Sequence, residues 1–303
     1  MSVFQLGPIL KARREELGLS QEDLADGICS VPTLSRIENG ERMPTKNHFE
    51  ILMQRLGYSA LSLDFFTDKR VFMIHQLKIK IRYAFLSKDY SQAKKDLNSF
   101  EHLLVNPTKI DEQFVILFKT VLSYNEYSNS ERLSLFESAL KLTCPKYKDG
   151  CIPHALSYEE IVLLNNIAVC NDVDGKREYA INILRMLKEY YESHVISTDE
   201  ALRTQPMILY NLSKYLGLSG RYDECIETCD YGIRIAKSTG RCSLLSKTLY
   251  NRAWSLIQRN CSGDMEAAEV SLRQAYNMAD AMGKTKDAEF IRNFYKQTFL
   301  ADI

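Results

Sequence analysis

The chain has 303 residues, with 39 Lys and Arg against 39 Asp and Glu, 45% hydrophobic residues and 26% charged ones. That length favours two folded units and that composition a soluble globular protein, while a net charge of zero excludes a global basic field for holding nucleic acid. No apolar run is long enough to cross a membrane and no leader segment is read at the start, so a cytoplasmic protein is expected.

Nearly every segment reads as helix, because proline is scarce, glycine falls between periodic runs and no stretch alternates like a half-buried strand. The first 68 residues hold seven basic and ten acidic side chains, a net of −3, which counts against nucleic acid unless the basic groups share one face. LGPILKARREELGL predicts an amphipathic helix. Ser20 can cap a second helix, with Asp23 completing a variant capping box, and Leu24, Ala25 and Ile28 form its apolar side. Ser30 can cap a third, where Pro32 is tolerated in the first turn. Leu34 and Ile37 then point inward and leave Val31, Thr33, Ser35 and Arg36 available. Asn39-Gly40 ends that helix with a left-handed glycine, and Thr45 starts another that runs to Leu56.

The stretch GLSQEDLA…TLSRIENGE resembles the helix-turn-helix of the Cro/lambda-repressor type. The resemblance places Gln21 on a backbone phosphate and Val31, Pro32, Thr33, Ser35 and Arg36 in a major groove, with Arg36 as the hydrogen-bond donor to guanine or phosphate. It sets Asn39, Arg42 and Lys46 along the phosphates, as positioning contacts. It also implies a structural ion pair between Arg14 and Glu38, which would remove two charges from the local balance.

Beyond residue 70 the helices come in pairs. Segments 163–187, 209–233 and 249–276 align so that Asn166, Asn211 and Asn251 coincide. A small residue follows two places on (Ala168, Ser213, Ala253), and another opens the second helix (Ala180, Cys225, Ala268). Residues 71–100, with Asp89-Tyr90 at the turn and Ala93 at the crossing, and residues 111–142 read as two weaker hairpins. Residues 284–301 read as a capping helix. No single hairpin can bury its apolar face, so the units must stack. The pattern resembles degenerate tetratricopeptide repeats over about residues 70–283. The longer loop at 260–264 departs from that pattern and leaves the angle of the third hairpin open. The expected fold is all-α: a five-helix helix-turn-helix domain over 1–66, then a right-handed superhelix of hairpins with its cap over 67–303, a sensor and dimerisation domain.

Asparagine is a poor choice for a helix interior, so three at one repeat position need a reason. One reading is that the amides turn into the concave hollow and hold an extended peptide by its backbone, as the clamp asparagine does in peptide-binding tetratricopeptide domains. The other is that each bonds a neighbouring helix or loop. Candidate groove residues are Asn166, Asn211 and Asn251, joined by Asn165, Tyr210, Lys214, Tyr250, Arg252 and Trp254. Trp254 reads equally as core, and Lys214 and Arg252 as solvated surface charges.

The whole chain resembles the Gram-positive peptide-pheromone receptors grouped as the Rgg, Rap, NprR, PlcR and PrgX family, and its PlcR-like members most in domain order and in DGICSVPTLSRIENG. That resemblance implies a homodimer on a palindromic double-stranded operator, controlled by a short linear signalling peptide in the concave groove. A protein-binding adaptor and a regulator with a non-peptide effector are the alternatives. Five histidines without a nucleophile–base spacing argue against an enzyme. The eight cysteines form no CxxC and no zinc spacing, and read as small buried residues of a reducing compartment. Cys225 and Cys229, four apart, bring two thiols near each other on one helix face. No cofactor or metal is expected.

Overall fold

A computed structural model describes residues 6–45, 48, 52, 55, 56, 69–145, 147, 156–193 and 199–301. Among these there are fourteen helices and no strand. No helix among the described residues is long and apolar enough to cross a membrane. The chain divides into two compact units, residues 1–107 and 108–303.

The first unit opens with α1 (Leu6–Glu16), α2 (Gln21–Ala25) and α3 (Val31–Glu38). Ser20 caps α2 in a full capping box: its hydroxyl accepts from the Asp23 amide at 3.0 Å, and the Asp23 carboxylate accepts from the Ser20 amide at 2.8 Å. At α3 the expected cap is incomplete. Ser30 occupies the capping position, but its hydroxyl bonds the Thr33 hydroxyl at 2.9 Å instead of a backbone amide. Gly40 closes the helix in the left-handed region, at φ 75°. Ile9, Leu10, Leu24, Leu34, Ile37, Leu52 and Leu56 form one buried cluster, so the apolar periodicity of all three helices converges. The helix expected from Thr45 is described only at His48, Leu52 and Arg55; its remainder, and any fifth helix before residue 66, lie outside the described residues.

One glycine decides how closely α1 approaches. A Cβ on Gly7 would stand 2.1 Å from the Ile37 carbonyl oxygen and 2.5 Å from that of Glu38. The same unit holds α4 (Lys69–Leu86) and α5 (Tyr90–Leu103), a hairpin capped by Asp89, whose carboxylate accepts from the Gln92 amide at 3.0 Å. Ala93 is fully buried where they cross.

The second unit is a run of hairpins: α6 (Lys109–Leu122) with α7 (Asn129–Thr143), α8 (Tyr158–Val173) with α9 (Arg177–Ser193), α10 (Asp199–Leu218) with α11 (Tyr222–Thr239), and α12 (Leu245–Arg259) with α13 (Asp264–Ala281). The last helix is α14 (Thr285–Phe299). Capping boxes at Thr108, Ser128 and Ser157 start α6, α7 and α8. Each helix packs on the next in sequence, and the first helices of consecutive repeats also touch, α8 on α10 and α10 on α12. Ala168, Ala180, Ser213, Cys225, Ala253 and Ala268 are all fully buried at these contacts. The irregular loop of the third repeat is held by Arg259, which binds Asp223 and Asp264 at 2.7 Å each and so closes its hairpin despite the extra residues.

Alanine is worth up to about 1 kcal/mol more than glycine in a helix interior. At position 7 the collision with two backbone carbonyls outweighs that gain. Gly7→Ala is therefore expected to destabilise the protein by about 1–3 kcal/mol. A urea midpoint equal to or above that of the parent protein would refute the close approach.

Candidate functional site

The first candidate surface is the outer side of α3. Leu34, Ile37 and Glu38 are buried on one side of the helix; Pro32 and Arg36 are exposed on the other, and Val31, Thr33 and Ser35 are half-buried. The chain then folds back on the helix end, where the amides of Glu41 and Arg42 both donate to the Arg36 carbonyl, at 2.8 and 3.2 Å. Asn39 and Arg42 are exposed there, and neither Arg36 nor Arg42 has a carboxylate partner among the described residues. Lys46 lies outside the described residues.

What holds α3 in place is a buried polar knot. Arg14 Nε and Nη2 donate to the two Glu38 carboxylate oxygens at 2.7 and 2.9 Å, and Arg14 Nη1 donates to the Leu19 carbonyl at 2.8 Å. Glu38 is 1% exposed. Its second oxygen also accepts from Gln21 Nε2 at 2.7 Å. Gln21, expected on a phosphate, thus has its amide engaged inside the domain, where it joins the start of α2 to the end of α3. A bidentate pair that also satisfies the remaining lone pairs is the arrangement that offsets the desolvation of two charges.

The second candidate is a cavity of about 370 Å³ between α10, α12 and α14. α10 brings Tyr210, Lys214 and Gly217, α12 brings Tyr250, Asn251 and Trp254, and α14 brings Asp287 and Phe290. Aromatic rings set its shape: Tyr250 meets Phe290 edge-on at 5.2 Å, and Trp254 meets Tyr222 at 6.0 Å. Gly217 makes room for the indole, because a Cβ there would touch Trp254 Cζ3 at 3.3 Å and Ser255 Oγ at 3.2 Å. Lys247 and Asp287, both in the wall, pair at 3.6 Å between α12 and α14. Lys214 lines the same cavity and has no carboxylate partner among the described residues; its ammonium is 5.5 Å from the centre of the Tyr215 ring. A mostly apolar concavity with a few polar groups is the ordinary form of a small-ligand or side-chain site.

Of the nine groove residues read from the sequence, Tyr210, Lys214, Tyr250, Asn251 and Trp254 line this cavity, while Asn165, Asn166, Asn211 and Arg252 do not. In the structure each of the three recurring amides has a partner within the protein, as in the second of the two readings. Asn166 Nδ2 donates to the Val162 carbonyl of its own helix at 2.8 Å. Asn211 Nδ2 donates to Asn165 Oδ1 at 2.8 Å, and Asn251 Nδ2 donates to Ser213 Oγ at 3.0 Å and to the Tyr210 carbonyl at 3.4 Å. Two of the three therefore tie one repeat to the repeat before it. The physical reason is that a half-buried amide must find a partner, and the adjacent first helix supplies one at bonding distance. Arg252 is likewise engaged, with Asp230 and with the Ser271 hydroxyl, both at 2.7 Å. The wall residues that sequence reasoning missed include Gly217, Lys247, Asp287 and Phe290. The Phe290–Phe294 spacing on the last helix was the available signal, because it puts two rings on one face, and both meet Tyr250, at 5.2 and 5.3 Å.

Breaking the polar knot has a large expected cost. Glu38→Ala leaves the Arg14 guanidinium buried without its carboxylate and should cost about 3–5 kcal/mol, whereas Arg14→Met with Glu38→Leu should recover most of that loss. Denaturant unfolding of the single and double variants decides it, and a Glu38→Ala cost below about 1 kcal/mol, the range of an exposed pair, would contradict the role given to the knot.

Comparison with known proteins agrees with this geometry. Residues 10–63 match the helix-turn-helix family model, so the N-terminal region is a helix-turn-helix domain of the kind found in DNA-binding regulators. No curated protein matches the chain in sequence. The fold is shared almost end to end with solved structures. Bacillus thuringiensis PlcR in complex with the peptide PapR7 and DNA superposes with a TM-score of 0.67 at 18% identity, over 96% of this chain and 99% of that one. ComR from S. thermophilus, in complex with DNA and its signalling peptide ComS, gives 0.55 at 15% identity over 96% and 99%. The Streptococcus dysgalactiae SHP pheromone receptor Rgg2 gives 0.53 at 14% identity over the same shares.

Proposed function

We propose that this protein is a sequence-specific DNA-binding transcriptional regulator whose helical-repeat region is controlled by a short signalling peptide. The observation that carries the reading is the pairing, in one chain, of a helix-turn-helix with an exposed α3 face and a repeat array holding an aromatic-walled cavity. Support comes from the shared fold, since the PlcR and ComR structures hold both DNA and a peptide. In this reading residues 1–66 are the DNA reader, and residues 67–303 form the sensor and dimerisation domain. The protein acts in the cytoplasm as a homodimer on a palindromic duplex, with half-sites about one helical turn apart.

Arg36 reads a base edge or a phosphate; Val31, Pro32, Thr33 and Ser35 face the major groove; Asn39, Arg42 and Lys46 follow the phosphates. Gln21 positions α3 through Glu38. The peptide lies along the concave side and places a large apolar side chain in the cavity, against Tyr210, Tyr250 and Trp254, with Lys214 beside it. Asn251, in the cavity wall, retains an amide oxygen for the ligand backbone. Seating the peptide between α10, α12 and α14 changes how these helices pack, and a coupling of about 1–3 kcal/mol is enough to shift the DNA-competent state. One observation favours a second reading, a small non-peptide effector: about 370 Å³ also suits a compact apolar molecule.

The test selects duplexes from a random pool with the full-length protein, then titrates the winner with and without a library of short synthetic peptides. Enrichment of a palindrome and a peptide-dependent shift in affinity are expected. A protein that enriches no duplex refutes the reader; a duplex whose affinity answers to small apolar compounds and to no peptide selects the second reading. On the enriched duplex, Arg36→Ala should cost about 1–3 kcal/mol and relax preference at one base pair, while Arg42→Ala should weaken all sequences evenly and reduce the salt slope by about 1.

A further inference from the structure

The cavity between α10, α12 and α14 carries an uneven set of polar groups. Its charged wall residues are Lys214, Lys247 and Asp287. Lys247 and Asp287 pair at 3.6 Å, so Lys214 leaves one positive charge in surplus. Tyr210 and Tyr250 add two phenol hydroxyls to the wall. Tyr210 is hydrogen-bonded through its backbone carbonyl, to Ser213 and Asn251, and Tyr250 meets Phe290 and Phe294 through its ring. Neither hydroxyl has a hydrogen-bond partner among the described residues. Burial pushes both phenols above their ordinary range, and the Asp287 charge adds to the effect at Tyr210. Both therefore keep their protons at neutral pH and can donate. Asp287, the carboxylate of this wall, is already held by Lys247. Spacing sorts these groups by helix face. Tyr210 and Lys214 lie four apart on α10 and form a donor face, while Tyr250 and Trp254 lie four apart on α12 and form an aromatic one.

We propose that the cavity selects an aromatic carboxylate, whose ring lies among Tyr250, Trp254 and Phe290 and whose carboxylate accepts from the Lys214 ammonium and the Tyr210 hydroxyl. A wall with donors to spare and one unmatched positive charge favours an anion with free acceptors and disfavours a cation. A hydrogen bond from an ammonium to a carboxylate is about twice as strong as one between neutral groups, so a neutral guest of the same shape loses that advantage. An anion without a ring leaves the aromatic wall in water and forgoes the burial that such rings offer. Two sources carry this group: a free aromatic acid, and a peptide in which a carboxylate adjoins an aromatic side chain. The inference rests on the reading of this cavity as the ligand site of the sensor, and it specifies what that site distinguishes.

Trp254 is the one tryptophan of the chain and stands in the cavity wall, so its emission reports occupancy in the full-length protein without DNA. The protein is titrated at neutral pH with phenylacetate and phenylacetamide, and with a short peptide ending in phenylalanine and the C-terminal amide of that peptide. In at least one of the two series the acid should bind about tenfold more tightly than the amide, the scale of one hydrogen bond to a charged group. The free acid as the tighter probe identifies a small effector as the source, and the peptide acid identifies a peptide. Lys214 is exposed, so replacing it leaves the core untouched. Lys214→Met, with its fold checked by circular dichroism, should abolish the preference, and Lys214→Arg should keep it. Acid and amide binding equally in both series, no saturable change in Trp254 emission with any probe, or a preference that survives Lys214→Met overturns the assignment. With no duplex present, such a result leaves the DNA reader standing. A protein that enriches no duplex yet separates acid from amide instead refutes the regulator and keeps the ligand class of the cavity.

Discussion

The repeat region depends on one constraint: two helices can lie close together only where the crossing residue has almost no side chain. Ala168, Ala180, Ser213, Cys225, Ala253 and Ala268 fill those points and are all fully buried. Close approach brings consecutive first helices near enough for Asn211 to reach Asn165 and for Asn251 to reach Ser213. The amides are a consequence of the spacing as much as a cause of it. Each bond contributes only about 1 kcal/mol net, but leaving such an amide buried and unpaired would cost about 1–3 kcal/mol. The register between repeats is therefore held by the cost of losing it.

The same constraint explains where the array opens. Toward its end the first helices carry large rings, Tyr210, Tyr250 and Trp254, beside a glycine at 217. Rings of that size cannot interdigitate with α14 as alanines do, and a hollow of about 370 Å³ remains. The last helix is then more than a cover: Asp287 and Phe290 form one side of the hollow, and Lys247 ties that side to α12. A ligand seated there touches three helices at once, which is the condition for its binding to be felt as a change in packing.

In the N-terminal unit a different economy holds. Local charge is slightly negative, and the presentation of α3 does not rely on a broad basic field. Arg14 is withdrawn into the knot with Glu38 and Gln21, and Arg13 pairs with Glu16 at 2.8 Å. Arg36 and Arg42 are left on one exposed edge, brought together by the chain folding back onto the Arg36 carbonyl. The direction of the basic groups matters more than their number.

Much of this was legible in the order of residues. Helical periodicity, the Ser20–Asp23 box, the Asn39-Gly40 stop and the small residues at repeat crossings are local or periodic signals, and each corresponds to an element or contact in the fold. The Arg14–Glu38 pair was legible only through resemblance, because nothing local links residues 24 positions apart. What the amides bond to was decided by tertiary structure alone. A sequence shows that Asn166, Asn211 and Asn251 recur, but the partner of a half-buried amide is whatever packing brings within about 3 Å, and that depends on the neighbouring repeat. The cavity wall supplied by α14 was hidden for the same reason. A periodic pattern reports which face of a helix is apolar; which neighbour that face meets, and whether the fit leaves a void, is set only when the hairpins stack.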